Sequence, residues 1–457
     1  MKRVSKTTLA EVGRMFARQW PATVIFLSAI VLRFGLLHLS LRQMSAEKLF
    51  TASADAANYV AGAVSLLHGG AEHERVFFSF GPGYSSWLAI VMWLFGDKSM
   101  AIIYLQILLS SLSCVLVYFL VLRLRLSKAT ATLAGLLGAI SVTSICLSCL
   151  PLSDTLYHFV FLLGLCIFVV SIDTGSWWSF IAAGLLFGYS SLVRSIGQFW
   201  FIPLTVICML LVRRTRKHDG IDQPWQRSRY ARAGAMILFI LLVQMLWMAR
   251  NYRVHGIWTM AYTSAGGPAT VAALSLHSND EKNYRQTLYD WEEEYLKAHN
   301  QTKFVPEEHY RMFQRKALET FRNCPLCFVR AYLGLVWTNL NDIDYLHRIL
   351  IPQNNPLTIR IEYIFKDHYL NYLGFPLAML GLLFLGLNRK YRAVLVLAAV
   401  YGYFVAMIGA FPWQGSRYFY PGYIAGDILI SVVIVGLASL LFRATTRLVR
   451  RTASHHD

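Results

Sequence analysis

Acidic side chains are scarce in this chain. Asp and Glu number 25 against 43 Lys and Arg in 457 residues, and charged residues of both signs make up only 15%. An ordinary soluble chain carries roughly 25% charged residues, so the shortage excludes that class. Mean hydropathy is +0.45, and the apolar residues gather in long uncharged runs, which makes the chain an integral membrane protein. Cysteine is sparse too. Cys114, Cys146, Cys149, Cys166 and Cys208 fall inside apolar runs, where a free thiol behaves as a small hydrophobe. Cys324-Pro325-Leu326-Cys327 has the spacing of redox and metal motifs, but nothing else of a thioredoxin-like unit accompanies it, and it reads as the start of a packed helix. There is no phosphate-cradling P-loop, dinucleotide glycine fingerprint or Ser-centred elbow, and no internal repeat or low-complexity linker. The net charge of +18 would suit nucleic acid. Most of the cations sit beside apolar runs, however, where they orient spans and touch anionic lipid. No basic stripe with interleaved aromatics accompanies them, so no nucleic-acid partner is expected.

The basic clusters alternate with the apolar runs. A cytoplasmic N-terminus at 1–19 precedes an uncleaved first span, Trp20 to Leu41, too long for a signal peptide. A first outer loop at 42–99 follows, in which Ser85 to Phe95 is too short to cross and reads as interfacial. Spans then run over 100–122, 130–150, 155–172, 177–193, 196–212 and 233–249, completing an N-terminal transmembrane module at 20–249. Arg213, Arg214, Arg216 and Lys217 fix the most basic loop as cytoplasmic. Residues 250–368 form an extracytoplasmic loop or small domain, polar from His277 to Gln314, with Val329 to Leu340 a second interfacial helix. C-terminal spans at 369–442 and a cytoplasmic tail at 443–457 complete an all-α bundle of about ten transmembrane helices. Asn300-Gln301-Thr302 fits a glycosylation acceptor pattern, relevant only in a eukaryote.

This topology carries Asp55, Asp154, Arg194, Arg250 and Arg417 to one membrane surface, though they lie far apart in sequence. Ions at the hydrocarbon edge are costly, so their convergence implies a water-filled functional cavity for an anion with a lipid tail. Tyr59, Trp87, Tyr252, Trp258, Trp413, Tyr418 and Tyr420 could stack on sugar faces or form an interfacial belt. Plainer readings stand beside these. The arginines could snorkel to lipid phosphate, Asp55 and Asp154 could cap helices, and Arg33 and Asp427 could pair within the bundle. His68 and His73, with Glu72 and Glu74, are weak metal candidates whose spacing matches no motif.

The pattern resembles the GT-C membrane glycosyltransferases that use polyprenyl-phosphate-linked sugars, in particular the protein-O-mannosyltransferase and aminoarabinose-transferase branch. The resemblance rests on Asp55 with Asn58-Tyr59, Gly81-Pro82-Gly83-Tyr84, Pro151-Leu152-Ser153-Asp154, Leu192-Val193-Arg194, Trp247 with Arg250-Asn251-Tyr252, and Ser416-Arg417-Tyr418. It implies transfer of a sugar to an extracytoplasmic hydroxyl, with inversion, in a bacterial inner membrane. Asp55 would be the catalytic base; Arg250, Arg417 and Arg194 would hold the donor phosphate; and Asp154, Asn58, Tyr59, Tyr84 and Tyr418 would bind substrate. The implied partners are the lipid-linked sugar, membrane lipid, and an acceptor protein, glycolipid or polysaccharide, with a divalent metal left open as cofactor. Some members carry a basic residue where this chain has Gly81, which shifts phosphate recognition onto the remaining arginines. The rival reading is a transporter or flippase of lipid-linked sugar; such folds often show repeats and a midplane polar site, whereas here the polar groups gather at one end.

The topology is open to test by cysteine labelling in a background without reactive native thiols. Arg216→Cys should react with an impermeant reagent only from the cytoplasmic side and Asn300→Cys only from outside. Labelling of position 216 from outside would overturn the assignment.

Overall fold

The computed structural model describes residues 6–97, 99–219, 224–277, 281–303, 305–341, 349–350, 371–409 and 415–453. Trp413, His455 and the 368/369 boundary lie outside the described residues.

The first helix, α1 (Lys6–Leu41), runs unbroken through Pro21. The first outer loop is helical almost throughout, as α2 (Ala46–Leu49), α3 (Ala54–His68), α4 (Glu72–Phe80) and α5 (Gly83–Phe95). Ser53 caps α3 by accepting from the Ala56 amide at 3.2 Å, and Gly69 ends it in the left-handed region at φ 81°. Then come α6 (Ala101–Arg123), α7 (Lys128–Ile140), α8 (Val142–Ser148), α9 (Ser153–Thr174), α10 (Trp177–Val193), α11 (Phe201–Asp219) and α12 (Pro224–His255). The outer region holds α13 (Gly266–Leu276), α14 (Glu281–Ala298), α15 (Pro306–Asn323) and α16 (Pro325–Asn341). The C-terminal part holds α17 (Asn371–Leu387), α18 (Tyr391–Ile408), the short α19 (Gly415–Phe419) and α20 (Tyr423–Ala453).

Among the described residues six helices are long and apolar enough to cross a membrane, and the bent pair α7–α8 makes up to seven. Three further expected spans correspond to the apolar helical stretches Trp177–Val193, Ser195–Leu211 and Leu373–Leu387, of 10–17 residues, shorter than the ~20 residues a straight crossing needs. The expected single span over 130–150 is instead broken by 55° between α7 and α8. No proline or glycine marks the break. Ser141 makes it, its hydroxyl accepting from the Ser144 amide at 3.4 Å and so capping a new helix, a local bond that competes with the helical ladder.

Helix α1 packs on α6 and α7, α9 on α6 and α10, α10 on α12, and α20 on α7 and α17. Arg33 of α1 is fully buried. It donates to Ser110 Oγ at 2.8 Å, Ser144 Oγ at 2.7 Å and the Ala139 carbonyl at 3.2 Å. This corrects the reading in which Arg33 pairs with Asp427: among the described residues Arg33 makes no ion pair, and its guanidinium is solvated by neutral acceptors.

The outer helices share an apolar core of Ala272, Tyr284, Trp291, Tyr310, Phe313 and Leu335, into which Phe78 of α4 inserts. These helices are therefore joined to the 42–99 segment through α4.

A close backbone contact sets the end of the bundle where Arg194 lies. Gly81 has φ +94°, and a Cβ there would lie 2.6 Å from the Leu192 carbonyl oxygen. A Cβ on Gly83 would lie 2.7 Å from the Val193 nitrogen. Only glycine allows this approach, which seats the start of α5 on the end of α10 beside Arg194. Gly81→Ala should therefore lower the melting temperature of the detergent-solubilised protein, whereas Gly35→Ala, with open space around its Cβ, should not. Equal melting of the two variants would show that the contact yields easily.

Candidate functional site: an acid–arginine cluster at one end of the bundle

Four chain segments meet here. Asp154 lies in the first turn of α9, where the helix dipole favours an anion. Leu152 precedes that turn and forms no side-chain cap. Arg194 is the residue that ends α10. Asp55 lies in the first turn of α3, and because Ser53 caps that helix its carboxylate is released from capping. Arg417 lies on the short helix α19 rather than in a loop.

The four side chains form one chain of charge. Arg194 Nη1 meets Asp154 Oδ1 at 2.6 Å. Arg417 Nε meets Asp154 Oδ2 at 3.1 Å, and its Nη1 meets Asp55 Oδ2 at 2.8 Å. Side-chain exposures are 2% for Asp154, 9% for Arg194, 11% for Arg417 and 30% for Asp55. The buried acid is thus enclosed by both guanidiniums, and Asp55 is the carboxylate that faces outward.

Tyrosines and a serine surround the cluster. Arg194 Nη1 donates to Ser153 Oγ at 3.2 Å, and Ser153 Oγ shares a hydrogen bond with the Tyr59 hydroxyl at 3.1 Å. The Arg194 guanidinium lies 4.8 Å from the Tyr418 ring centroid. Tyr59 stands edge-on to Tyr84 at 4.9 Å. Burial holds the Tyr59 hydroxyl far above the usual phenol range, with the Arg194 guanidinium pulling the other way. Burial does the same to Tyr84, helped by Tyr59 and Asp154. Both phenols are therefore neutral hydrogen-bonding groups. Tyr84 donates to Gln106 Oε1 at 2.6 Å, and Gln106 donates to the Leu150 carbonyl, tying α5 to the turn that presents Asp154. The roles of Ser153 and Gln106 were not evident from sequence, because they depend on partners 22 to 94 positions away.

Arg250 stands apart from this chain. It lies inside α12, which continues to His255, instead of just past a helix end. Its guanidinium pairs with Glu74 of α4 and lies 4.9 Å over the Trp247 ring. Asn58, one turn after Asp55, accepts from Arg75 at 3.1 Å, and Arg75 also pairs with Glu72. Helix α4 thus links the Asp55 helix to Arg250, and Arg75 adds a cation that the sequence reading passed over.

The histidine candidates separate. His68 pairs with Asp97 at 2.8 Å, while His73 meets Ser65 Oγ at 3.3 Å and Glu74 at 3.5 Å. Among the described residues no group of three or more His, Cys, Asp or Glu side chains could hold a metal ion. Of the aromatics, Tyr420 bonds Ser144 at 2.9 Å and stacks on His158 at 4.2 Å inside the bundle. Tyr252 and Trp258 stack at 5.2 Å with about half of each exposed.

Residues 81–248 match the family described as dolichyl-phosphate-mannose-protein mannosyltransferase. The fold is similar to the archaeal oligosaccharyltransferase AglB from Archaeoglobus fulgidus, solved with an inhibitory peptide and a dolichol-phosphate, at TM-score 0.52 and 15% identity over 95% of this chain and 52% of that one. The apo form of the Archaeoglobus fulgidus enzyme gives TM-score 0.49 and 14% identity over 95% of this chain and 52% of that one. The chain spans about half the length of these solved relatives. No curated protein matches it. The chain is thus a multi-pass membrane protein with the GT-C fold of membrane glycosyltransferases, and its residues 81–248 carry the pattern of the mannosyltransferase family.

Proposed function

We propose that the protein transfers a sugar from a polyprenyl-phosphate donor to an acceptor hydroxyl on a protein, glycolipid or polysaccharide, at the extracytoplasmic face of a bacterial cell membrane. The observation that carries this reading is the graded exposure of the cluster: Asp154 is sealed at 2%, whereas Asp55 is 30% exposed at the end of the same ion chain. Asp55 accepts the acceptor proton as the oxygen attacks the anomeric carbon and the carbon–phosphate oxygen bond breaks, inverting the centre in one displacement. Arg417, held on its other side by Asp154, fixes the Asp55 carboxylate in position. Tyr59, Tyr84, Tyr418 and Asn58 shape the pocket for the sugar and acceptor.

Magnitudes separate the arginines. Breaking the buried Arg194–Asp154 contact costs about 3–5 kcal/mol, so Arg194 and Arg417 stay with their carboxylates and act on the leaving phosphate through their field. A partly exposed pair such as Arg250–Glu74, with exposures of 26% and 44%, is worth only about 0.2–1 kcal/mol. Arg250 can therefore exchange Glu74 for the donor phosphate, which its guanidinium can bind through two parallel hydrogen bonds. In the cluster both carboxylate oxygens of Asp154 and one of Asp55 are taken by guanidiniums. The donor set suits an arginine-neutralised acid pair.

Two outcomes are expected from the purified protein in detergent, where no compartments exist and formation of a glycosylated product reports transfer and not transport. Asp55→Asn keeps the shape but cannot take the proton, and should lose ~10²–10⁴-fold in turnover; turnover within about threefold of wild type would return Asp55 to a structural role. Glu74→Gln removes the competitor for Arg250 and should lower the donor KM by roughly 1.4- to 5-fold, the pair's worth, whereas Arg250→Ala should raise it. An unchanged donor KM in both variants would place the phosphate site elsewhere.

A further inference from the structure

Cys324 and Cys327 form a disulfide across the start of α16. We propose that this pair is a thiol–disulfide exchange site for an extracytoplasmic dithiol protein, independent of the sugar-transfer reading. The bridge closes a loop of only a few residues, the case in which a disulfide stabilises a fold least. Helix α16 is held without it. Ala331 and Leu335 lie in the outer core with Phe328 and Tyr332 against it, Asn339 Nδ2 donates to the Ile408 carbonyl at 2.8 Å, and the Tyr332 hydroxyl donates to the Ala406 carbonyl.

The surroundings suit reactive sulfur. Cys327 is exposed and Cys324 partly so. The Cys327 amide donates to Cys324 Sγ at 3.3 Å, and both sulfurs lie at the N-terminal end of a 17-residue helix, whose dipole favours a thiolate. Arg322 and Arg330 are exposed on either side, and no acidic residue occurs between positions 320 and 341. Leu326, between the cysteines, is 80% exposed and gives a partner an apolar contact. Among the described residues the five other cysteines form no disulfide, and four of them are buried.

The exchange is balanced between two dithiols. A partner thiolate attacks the exposed Cys327 Sγ, the bridge breaks, and Cys324 leaves as a thiolate held by the Cys327 amide and the helix end. The partner's second thiolate then attacks its own sulfur in the mixed disulfide and releases Cys327. The partner dithiol is oxidised by two electrons, and the Cys324–Cys327 bridge is reduced to two thiols.

The test uses the full-length protein in detergent with mixtures of reduced and oxidised glutathione as the probe, acid quenching, alkylation and peptide mass spectrometry. The pair should shift reversibly between disulfide and dithiol as the mixture changes, with the helical circular dichroism signal unchanged and the transient glutathione adduct on Cys327 rather than Cys324. The Cys324→Ser/Cys327→Ser double variant should melt close to wild type. A bridge that is reduced only after unfolding in denaturant, an adduct mainly on Cys324, or a large fall in melting of the double variant would overturn the proposal and leave a structural staple.

Discussion

Pairing of charge at the edge of a membrane is the constraint on which the rest of this structure depends. Asp154 and Arg194 are 2% and 9% exposed, and neither could be buried so deeply without the other, because an unpaired ion in such a place costs several kcal/mol. The pair forces the start of α9 against the end of α10, and Arg417 extends the demand to α19 and, through Asp55, to α3. Elements that belong to four separate stretches of chain are thereby held in one register. The glycine contact of Gly81 and Gly83 with Leu192 and Val193 serves the same register through backbone atoms.

A second level of organisation links this end of the bundle to the outer helices. Phe78 of α4 stacks on His255 at 3.9 Å, and His255 pairs with Glu307 at 2.6 Å. Tyr262 bonds His309, which in turn meets Glu292 at 2.7 Å. Helix α4 therefore has one neighbour in the Asp55 helix and another in the outer domain, and Arg250 sits at its other face through Glu74. The outer helices therefore reach the cluster by two routes, through the nine-residue α4 and through α16, which packs on the α19 helix that carries Arg417.

Much of this was legible in the sequence, and the reasons are physical. Long apolar runs bounded by cations report spans directly, and their alternation placed Asp55, Asp154, Arg194 and Arg417 at one end before any coordinates. Ser53 ahead of Ala54 could have released Asp55 from the capping alternative, since a serine at that position is a strong cap. The break at Ser141 was hidden because serine bends a helix only when its hydroxyl finds a local amide. The continuation of α12 past Arg250 was hidden as well: Asn251, beside Arg250 on that continuation, is buried and its amide donates to the Thr259 carbonyl at 2.8 Å. The Glu74 partner of Arg250 lies 176 positions away, beyond any local pattern.

The two carboxylates and two guanidiniums of the cluster sum to zero net charge as they stand. When Asp55 takes up a proton the sum becomes +1. In the proposed reaction that change coincides with the growth of a second negative charge on the departing phosphate, so the field the phosphate meets strengthens as the bond breaks and weakens again once Asp55 gives the proton to water. The site would reset itself by deprotonation, and the product anion would lose its extra attraction in the same event.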